Sequence, residues 1–134
     1  MRPHRILESC LYAGDLAAAE SFYARVLGLE VIGRVEGRHV FFRCGDGVLL
    51  IFDPAATAER GGQAPPHGAK GPGHLAFAVT ASELIGWREH LARAQVEIEA
   101  EVGWPRGGRS IYFRDPAGNS IELAEPVMWG IDAG

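Results

Sequence analysis

The sequence predicts an α+β fold made of two βαβββ modules, on three observations. The chain first matches itself: Phe42-Arg43-Cys44-Gly45-Asp46-Gly47 and the apolar run 48–52 align without gaps on Phe113-Arg114-Asp115-Pro116-Ala117-Gly118 and 119–123, an offset of 71 residues. Nearer the start the offset is 66, residues 6–13 falling on 72–79, which sets Glu8 against His74. The difference is assigned to the loop Gly103-Trp104-Pro105-Arg106-Gly107-Gly108 of the second copy. Second, each copy opens on a stretch of period two, passes to one of helical period and ends in three short extended stretches. Third, within the strands one parity is large and apolar, while the other mixes charged, polar and small side chains.

In the first copy, Leu7, Leu11 and Ala13 alternate with Glu8, Cys10 and Tyr12, which reads as a strand. Asp15 is an N-cap, and Leu16, Ala19, Phe22, Tyr23, Val26 and Leu27 follow at helical spacing until Gly28 stops the helix. Strands are expected near 30–33, 39–44 and 48–53, with Gly45-Asp46-Gly47 turning between the last two. In the second copy, Leu75, Phe77 and Val79 alternate with His74, Ala76 and Ala78. Thr80 and Glu83 then form a capping box for a helix carrying Leu84, Trp87 and Leu91. Strands near 96–100, 110–114 and 120–124 complete it. The modules thus run from about 6 to 53 and 74 to 125, with a linker at 54–73 and a tail at 126–134, all in one domain spanning 1–134.

Parity assigns Leu7, Leu11, Val40, Phe42, Leu50, Phe52, Leu75, Phe77, Ile111, Phe113, Ile121 and Leu123 to the face under the helices. The other face receives Glu8, Tyr12, His39, Phe41, Arg43, Leu49, Ile51, His74, Ser110, Tyr112, Arg114 and Glu122, a mixture suited to a ligand cavity. Glu8, His74 and Glu122 stand at matching places of the repeat. Singly, each has an ordinary reading, as a solvated strand-end Glu or a hydrogen-bonded edge His. Jointly they offer one imidazole nitrogen and two carboxylates, a set for Zn, Mn, Fe(II), Co or Ni among which the sequence does not choose.

Other residues on that face have two readings each. His39 is a general acid or base, a fourth ligand, or a packed strand residue. Tyr12 and Tyr112 donate to a substrate oxygen or pack, and Phe41 and Ser110 line the substrate's place. Arg43 and Arg114, at equivalent strand ends, bind an anionic substrate or pair with Asp46 and Asp115 in the turns. The linker, with Gly61-Gly62, Pro65-Pro66 and Gly71-Pro72-Gly73, is either flexible or a cover carrying His67 and Lys70. In the tail, Met128, Trp129 and Ile131 have no place in the repeat and are expected to pack on the body or on a second subunit.

Composition narrows the partners. Lys and Arg number 13 against 17 Asp and Glu, for a net charge of −4, which argues against nucleic acid or an anionic membrane. Cys10 and Cys44, on opposite parities and without metal-knuckle spacing, read as reduced thiols of a cytoplasmic protein. The start, Met1-Arg2-Pro3-His4-Arg5, has no apolar segment of a signal peptide, and no run reaches membrane-spanning length.

With these motifs in hand, the chain resembles the vicinal oxygen chelate superfamily of glyoxalase I, fosfomycin resistance enzymes, methylmalonyl-CoA epimerase, extradiol dioxygenases and bleomycin resistance proteins. The resemblance rests on Glu8 to Asp15 with Ala19-Glu20-Ser21-Phe22-Tyr23 and Leu27-Gly28-Leu29, on Gly73-His74-Leu75-Ala76-Phe77-Ala78-Val79, and on Asp115-Pro116-Ala117-Gly118-Asn119-Ser120-Ile121-Glu122-Leu123. It implies the glyoxalase/bleomycin resistance-type fold, two modules forming a cup-shaped mixed sheet with helices outside. It also implies metal ligands at up to four positions, here Glu8, Ile51, His74 and Glu122, of which Ile51 cannot coordinate. The remaining three look more like the set of fosfomycin resistance enzymes or ring-cleaving dioxygenases than like that of glyoxalase I. Homodimers, some exchanging modules, are common in the family.

The function expected is that of a metal-dependent enzyme acting on a small oxygenated substrate, by glyoxalase-like lyase or isomerase chemistry or by fosfomycin-resistance-like transfer. Glu122 or His39 would move the proton. The alternative is a metal-free drug- or metabolite-binding protein of the bleomycin resistance type. The third is an Fe(II) extradiol-type dioxygenase.

Overall fold

The computed structural model describes residues 1–132, so the last two residues of the expected tail lie outside the described residues. The described chain divides into two compact units, Met1–Gly73 and His74–Gly134. Each is a βαβββ module.

In the first unit the strands β1 (Glu8–Tyr12), β2 (Glu30–Val35), β3 (His39–Cys44) and β4 (Gly47–Phe52) form a mixed sheet in the order β1-β4-β3-β2. β1 runs parallel to β4, and the other pairs are antiparallel. Helix α1 (Leu16–Ser21) is capped by Asp15, whose side chain accepts from the Ala18 amide at 3.0 Å. The single helix expected up to Gly28 is in fact two kinds: after Ser21 the chain makes a π-helical turn, Phe22–Val26. Phe22 and Tyr23, which open this turn, are both buried in the core. Gly28 then leaves in the left-handed region, φ 70°.

The second unit repeats the plan. Strands β5 (His74–Ala78), β6 (Ala100–Gly103), β7 (Arg109–Arg114) and β8 (Ser120–Ala124) stand in the order β5-β8-β7-β6, again with the first and last strands parallel. Helix α3 (Ala81–Arg93) begins on the expected capping box: the Glu83 amide donates to Thr80 Oγ1 and the Thr80 amide to Glu83 Oε2. Leu84 and Leu91 are its buried residues, and Ile111, Phe113, Ile121 and Leu123 are buried in the sheet.

Three expectations are corrected. The strand placed near 96–100 lies at 100–103, because Gln95 takes a left-handed conformation (φ 59°) and the Val96 amide is held by the Leu91 carbonyl at the helix exit. The linker is not featureless: Asp53 caps and Pro54 opens a short helix, α2 (Pro54–Ala58). Its continuation is tied back to the first unit, the His67 amide donating to the Thr57 carbonyl at 2.9 Å.

The third correction concerns β4. Register pairs Val40 with Ile51 and Phe42 with Leu49, so Leu49 and Ile51 join Val40, Phe42 and Leu11 in the core. Leu50 and Phe52 instead share a face with Phe41, His39, Cys10 and Tyr12. The cause is loop length. Arg43 pairs with Val48 across four intervening residues, whereas Arg114 pairs with Ser120 across five. A one-residue slip reverses every side chain of a strand. The repeat counterpart of Glu122 is therefore Leu50, not Ile51, and Leu50 is equally unable to coordinate. Leu7, expected in the core, precedes β1 and is 62% exposed.

Candidate functional site

The second unit holds the polar pair that the repeat singled out. Glu122, on the central strand β8, is buried at 5% exposure although it carries a carboxylate. Such a group stays buried only if its oxygens are satisfied. One of them, Oε2, accepts from Ser110 Oγ at 2.5 Å; Ser110 is wholly buried and in turn accepts from Trp104 Nε1 at 2.8 Å. The other, Oε1, lies 3.2 Å from His74 Nε2.

His74 is oriented from its far side. Its Nδ1 stands 3.0 Å from the Ser120 carbonyl oxygen, and a carbonyl only accepts, so Nδ1 carries the proton. In its neutral form the ring presents the Nε2 lone pair to a carboxylate oxygen. Two acceptors at 3.2 Å repel each other unless a cation lies between them, either a proton on Nε2 or a metal ion. Two ligand bonds of about 2.0–2.1 Å at tetrahedral to octahedral angles separate their donor atoms by about 2.8–3.4 Å, so the spacing suits one ion as well. No third His, Cys, Asp or Glu of this unit joins the pair among the described residues.

Tyr112 flanks it. The residue pairs directly with Glu122 across β7 and β8, and its ring stacks near that of His74 at 6.3 Å between centroids. Burial, then the Glu122 charge, pushes its phenol up from 10.0, so at neutral pH it is an O–H donor. Arg114 does not pair with Asp115 as one reading had it. Its guanidinium makes a two-pronged pair with Glu99 at 2.9 and 3.2 Å and donates to the Gly118 carbonyl. Asp115 is buried in the loop, where Oδ1 accepts from the Ala117 and Asn119 amides.

The first unit places the remaining candidates. Glu8 is exposed at the start of β1, the place His74 occupies on β5. His39 stacks on Phe41 at 3.9 Å and meets Phe52 edge-on. Its Nδ1 is buried without a hydrogen-bond partner, and burial, then the Arg38 charge, lowers its pKa below 6.5. Tyr12 Oη stands 2.6 Å from Nδ1 of His67, whose ring packs on Phe52, so the linker histidine does cover this face of its own unit. Arg43 is exposed and makes no ion pair among the described residues. Asp46 is engaged through its carbonyl by Arg5 instead. Both cysteines are free, with thiols pushed up by burial above all.

Sequence reasoning missed the place of Trp104, whereas Met128 was expected to pack on the body or on a second subunit. Seven residues separate the paired Val102 and Ser110, where three separate Val35 and His39 in the first unit. The longer loop folds back so that its indole reaches Ser110. Met128, in the 3-10 turn Pro126–Trp129, puts Sδ 3.7 Å from the same hydroxyl, so this part of the tail packs on the body. Insertion length and a tryptophan in it were the available signals.

The family model described as Glyoxalase/Bleomycin resistance protein/Dioxygenase superfamily matches residues 3–123. The chain belongs to this superfamily. Among solved structures it is similar to lactoylglutathione lyase from Agrobacterium tumefaciens, with 41% identity, a TM-score of 0.94 and coverage of 98% of this chain and 100% of that one. It is also similar to a glyoxalase/bleomycin resistance protein/dioxygenase from Nocardioides, at 24% identity and a TM-score of 0.74, covering 93% of this chain and 85% of that one. The second likeness speaks for the fold alone. Among the described residues no helix is long and apolar enough to cross a membrane.

Proposed function

We propose that this superfamily member is a metal-dependent lyase or isomerase acting on a small oxygenated substrate, with lactoylglutathione the first compound to test. The observation that carries the reading is the buried Glu122 carboxylate turned toward an imidazole whose other nitrogen is held by the Ser120 carbonyl. That combination favours a cation between the two side chains, and the 41% identical neighbour named as a lactoylglutathione lyase supports the chemistry.

His74 and Glu122 would hold the ion, drawn from Zn, Mn, Fe(II), Co or Ni. A protein site keeps at least three ligands as a rule, and the sequence repeat nominates Glu8 as another. When bound, such an ion polarises adjacent substrate oxygens and stabilises negative charge developing on them. The chain's own residues do the rest. Glu122, whose Oε2 is held by Ser110, would move a proton beside a carbonyl only through Oε1, and Tyr112, protonated and in register with it, would donate a hydrogen bond to a substrate oxygen.

The test is elemental analysis of protein purified without added metal, then metal affinity of wild type, His74→Ala, Glu122→Ala and Glu8→Gln, followed by assays of lactoylglutathione formation and of its cleavage without water. Both alanine variants are expected to lose metal; Glu8→Gln, keeping an amide oxygen, should weaken it less. Unchanged affinity in the alanine variants refutes the site. One observation favours the metal-free binding protein: the aromatic set His39, Phe41, Phe52 and His67 in the first unit suits a flat ligand. A metal-free protein that still binds aromatic compounds would establish that reading. Iron content with oxygen uptake would establish the dioxygenase.

A further inference from the structure

We propose that Trp104 and Ser110 act as positioning residues that make Glu122 a one-oxygen donor. The inference rests on the reading that His74 and Glu122 hold a cation, and deepens it.

The argument is one of donor bookkeeping. An indole N–H only donates, so the contact from Trp104 Nε1 to Ser110 Oγ at 2.8 Å uses a lone pair of the hydroxyl. The single hydroxyl proton must then go elsewhere. Three acceptors lie within reach, Glu122 Oε2 at 2.5 Å, Met128 Sδ at 3.7 Å and the Tyr112 phenol, which also meets Glu122, and the carboxylate is much the strongest. Trp104 thus sets the direction of the Ser110 proton, and that proton occupies Oε2. Oε1 alone is left facing His74 Nε2. All three groups belong to one unit, and Ser110 is wholly buried, so water does not compete for the chain of donors.

Two features hold the chain in place. Ser110 is fixed by its β7–β8 pairing with Ala124, one pair beyond Tyr112 with Glu122 in the same-facing row. Trp104 is fixed by the loop that carries it, closed by bonds from the Trp104 amide to the Gly108 carbonyl and from the Gly107 amide to the Trp104 carbonyl, both at 3.0 Å. Packing gives a reason for the loop's exact shape: a Cβ on Gly108 would sit 2.9 Å from Val127 Cγ1 and 3.3 Å from Glu125 Cβ. The consequence for the metal is a carboxylate with one free oxygen, which leaves a coordination place for another ligand where a two-oxygen grip would fill it.

The experiment uses Co2+ as probe on the full chain, in wild type, Ser110→Ala and Trp104→Phe. Removing the hydroxyl frees Oε2, so the Ser110→Ala cobalt spectrum is expected to lose visible absorption intensity as the coordination number rises. Its Co2+ affinity should fall about tenfold, at the low end of what loss of an outer partner costs. Trp104→Phe should move both quantities the same way by less. In wild type, Zn2+ should shift the Trp104 indole N–H resonance, identified among the three tryptophans by its absence in Trp104→Phe, and this shift should vanish in Ser110→Ala. Wild-type spectra and affinities in both variants, with an indole resonance blind to Zn2+, overturn the proposal while leaving the metal site standing. A wild type that takes up neither ion removes the metal reading and this one together. Should Ser110→Ala fail to fold, Trp104→Phe and the indole resonance decide alone.

Discussion

Replacing Asp115 tests the device that puts Glu122 on the correct face of its sheet. The buried Asp115 carboxylate accepts from the Ala117 amide at 3.0 Å, the Asn119 amide at 2.8 Å and Asn119 Nδ2 at 2.9 Å. These bonds close the five-residue connection between Arg114 and Ser120, with Gly118 supplying a left-handed residue (φ 88°). A buried donor left without a partner costs about 1–3 kcal/mol. Asp115→Ala takes an acceptor from three donors, of which those of Asn119 are the more deeply buried, so about 2–4 kcal/mol of unfolding free energy should be lost. Asp115→Asn keeps one acceptor oxygen for the two amides and sets an NH2 group against the Asn119 side chain, so about half that loss is expected. Urea titration with circular dichroism measures both, provided the transition slope stays constant. A loss below about 1 kcal/mol for Asp115→Ala would refute the reasoning, because the loop would then hold its shape without the carboxylate.

The other predictions are narrower. His39 has a pKa lowered in the fold, so its contribution to stability is present above its unfolded value of 6.5 and lost as pH falls through the lower folded value; His39→Phe should flatten the fall in melting temperature between pH 8 and 5, and an identical fall in the variant would count against it. Arg114→Lys should leave anion binding unchanged and cost at most about 1 kcal/mol, since its pair with Glu99 is half exposed, whereas Arg43→Lys should abolish stabilisation by small carboxylates in a thermal-shift screen. Anion stabilisation that survives in Arg43→Lys and fails in Arg114→Lys would reverse that assignment. The chain should sediment as a homodimer at low micromolar concentration, because Val127, Trp129 and Ile131 remain exposed at 47%, 74% and 60%; a monomer throughout would exclude it.

The sequence made some of this legible and hid the rest for physical reasons. Repeats, caps and alternation act locally, so both βαβββ units, the Asp15 cap and the Thr80 capping box could be read directly. In β8, the polar residues Ser120 and Glu122 mark one face, and register agrees with that marking. In β4, Val48 to Phe52 is apolar without interruption, so no alternation exists to read, and parity had to be borrowed from the other copy through a loop one residue longer. That single residue moved Leu49 and Ile51 into the core. Helix α2 was readable from Asp53-Pro54 but was masked by the Gly and Pro that follow. The hydrogen bond from Trp104 to Ser110 was not readable, because the path of an irregular loop depends on what it packs against rather than on period.

The two copies have diverged in opposite directions on equivalent faces. Where the second unit has Ser110, Tyr112 and Glu122, register gives the first unit His39, Phe41 and Leu50 at the same places. Two polar members of the second set are tied together and to the loop: Trp104 donates to Ser110, and Ser110 to Glu122. The first set holds together by ring contacts of His39, Phe41 and Phe52, with only the His39 Nδ1 left unpartnered among buried side-chain atoms of the described residues. Single substitutions should therefore behave differently in the two units. Leu50→Glu would place a carboxylate among aromatic rings, with His39 at the place of Ser110 but no Trp104 equivalent behind it, at a cost of several kcal/mol or expulsion to solvent. It should not add metal binding to the first unit, and equilibrium dialysis showing one added metal ion per Leu50→Glu chain would refute the view that the donor chain, and not the carboxylate alone, equips the proposed site at Glu122.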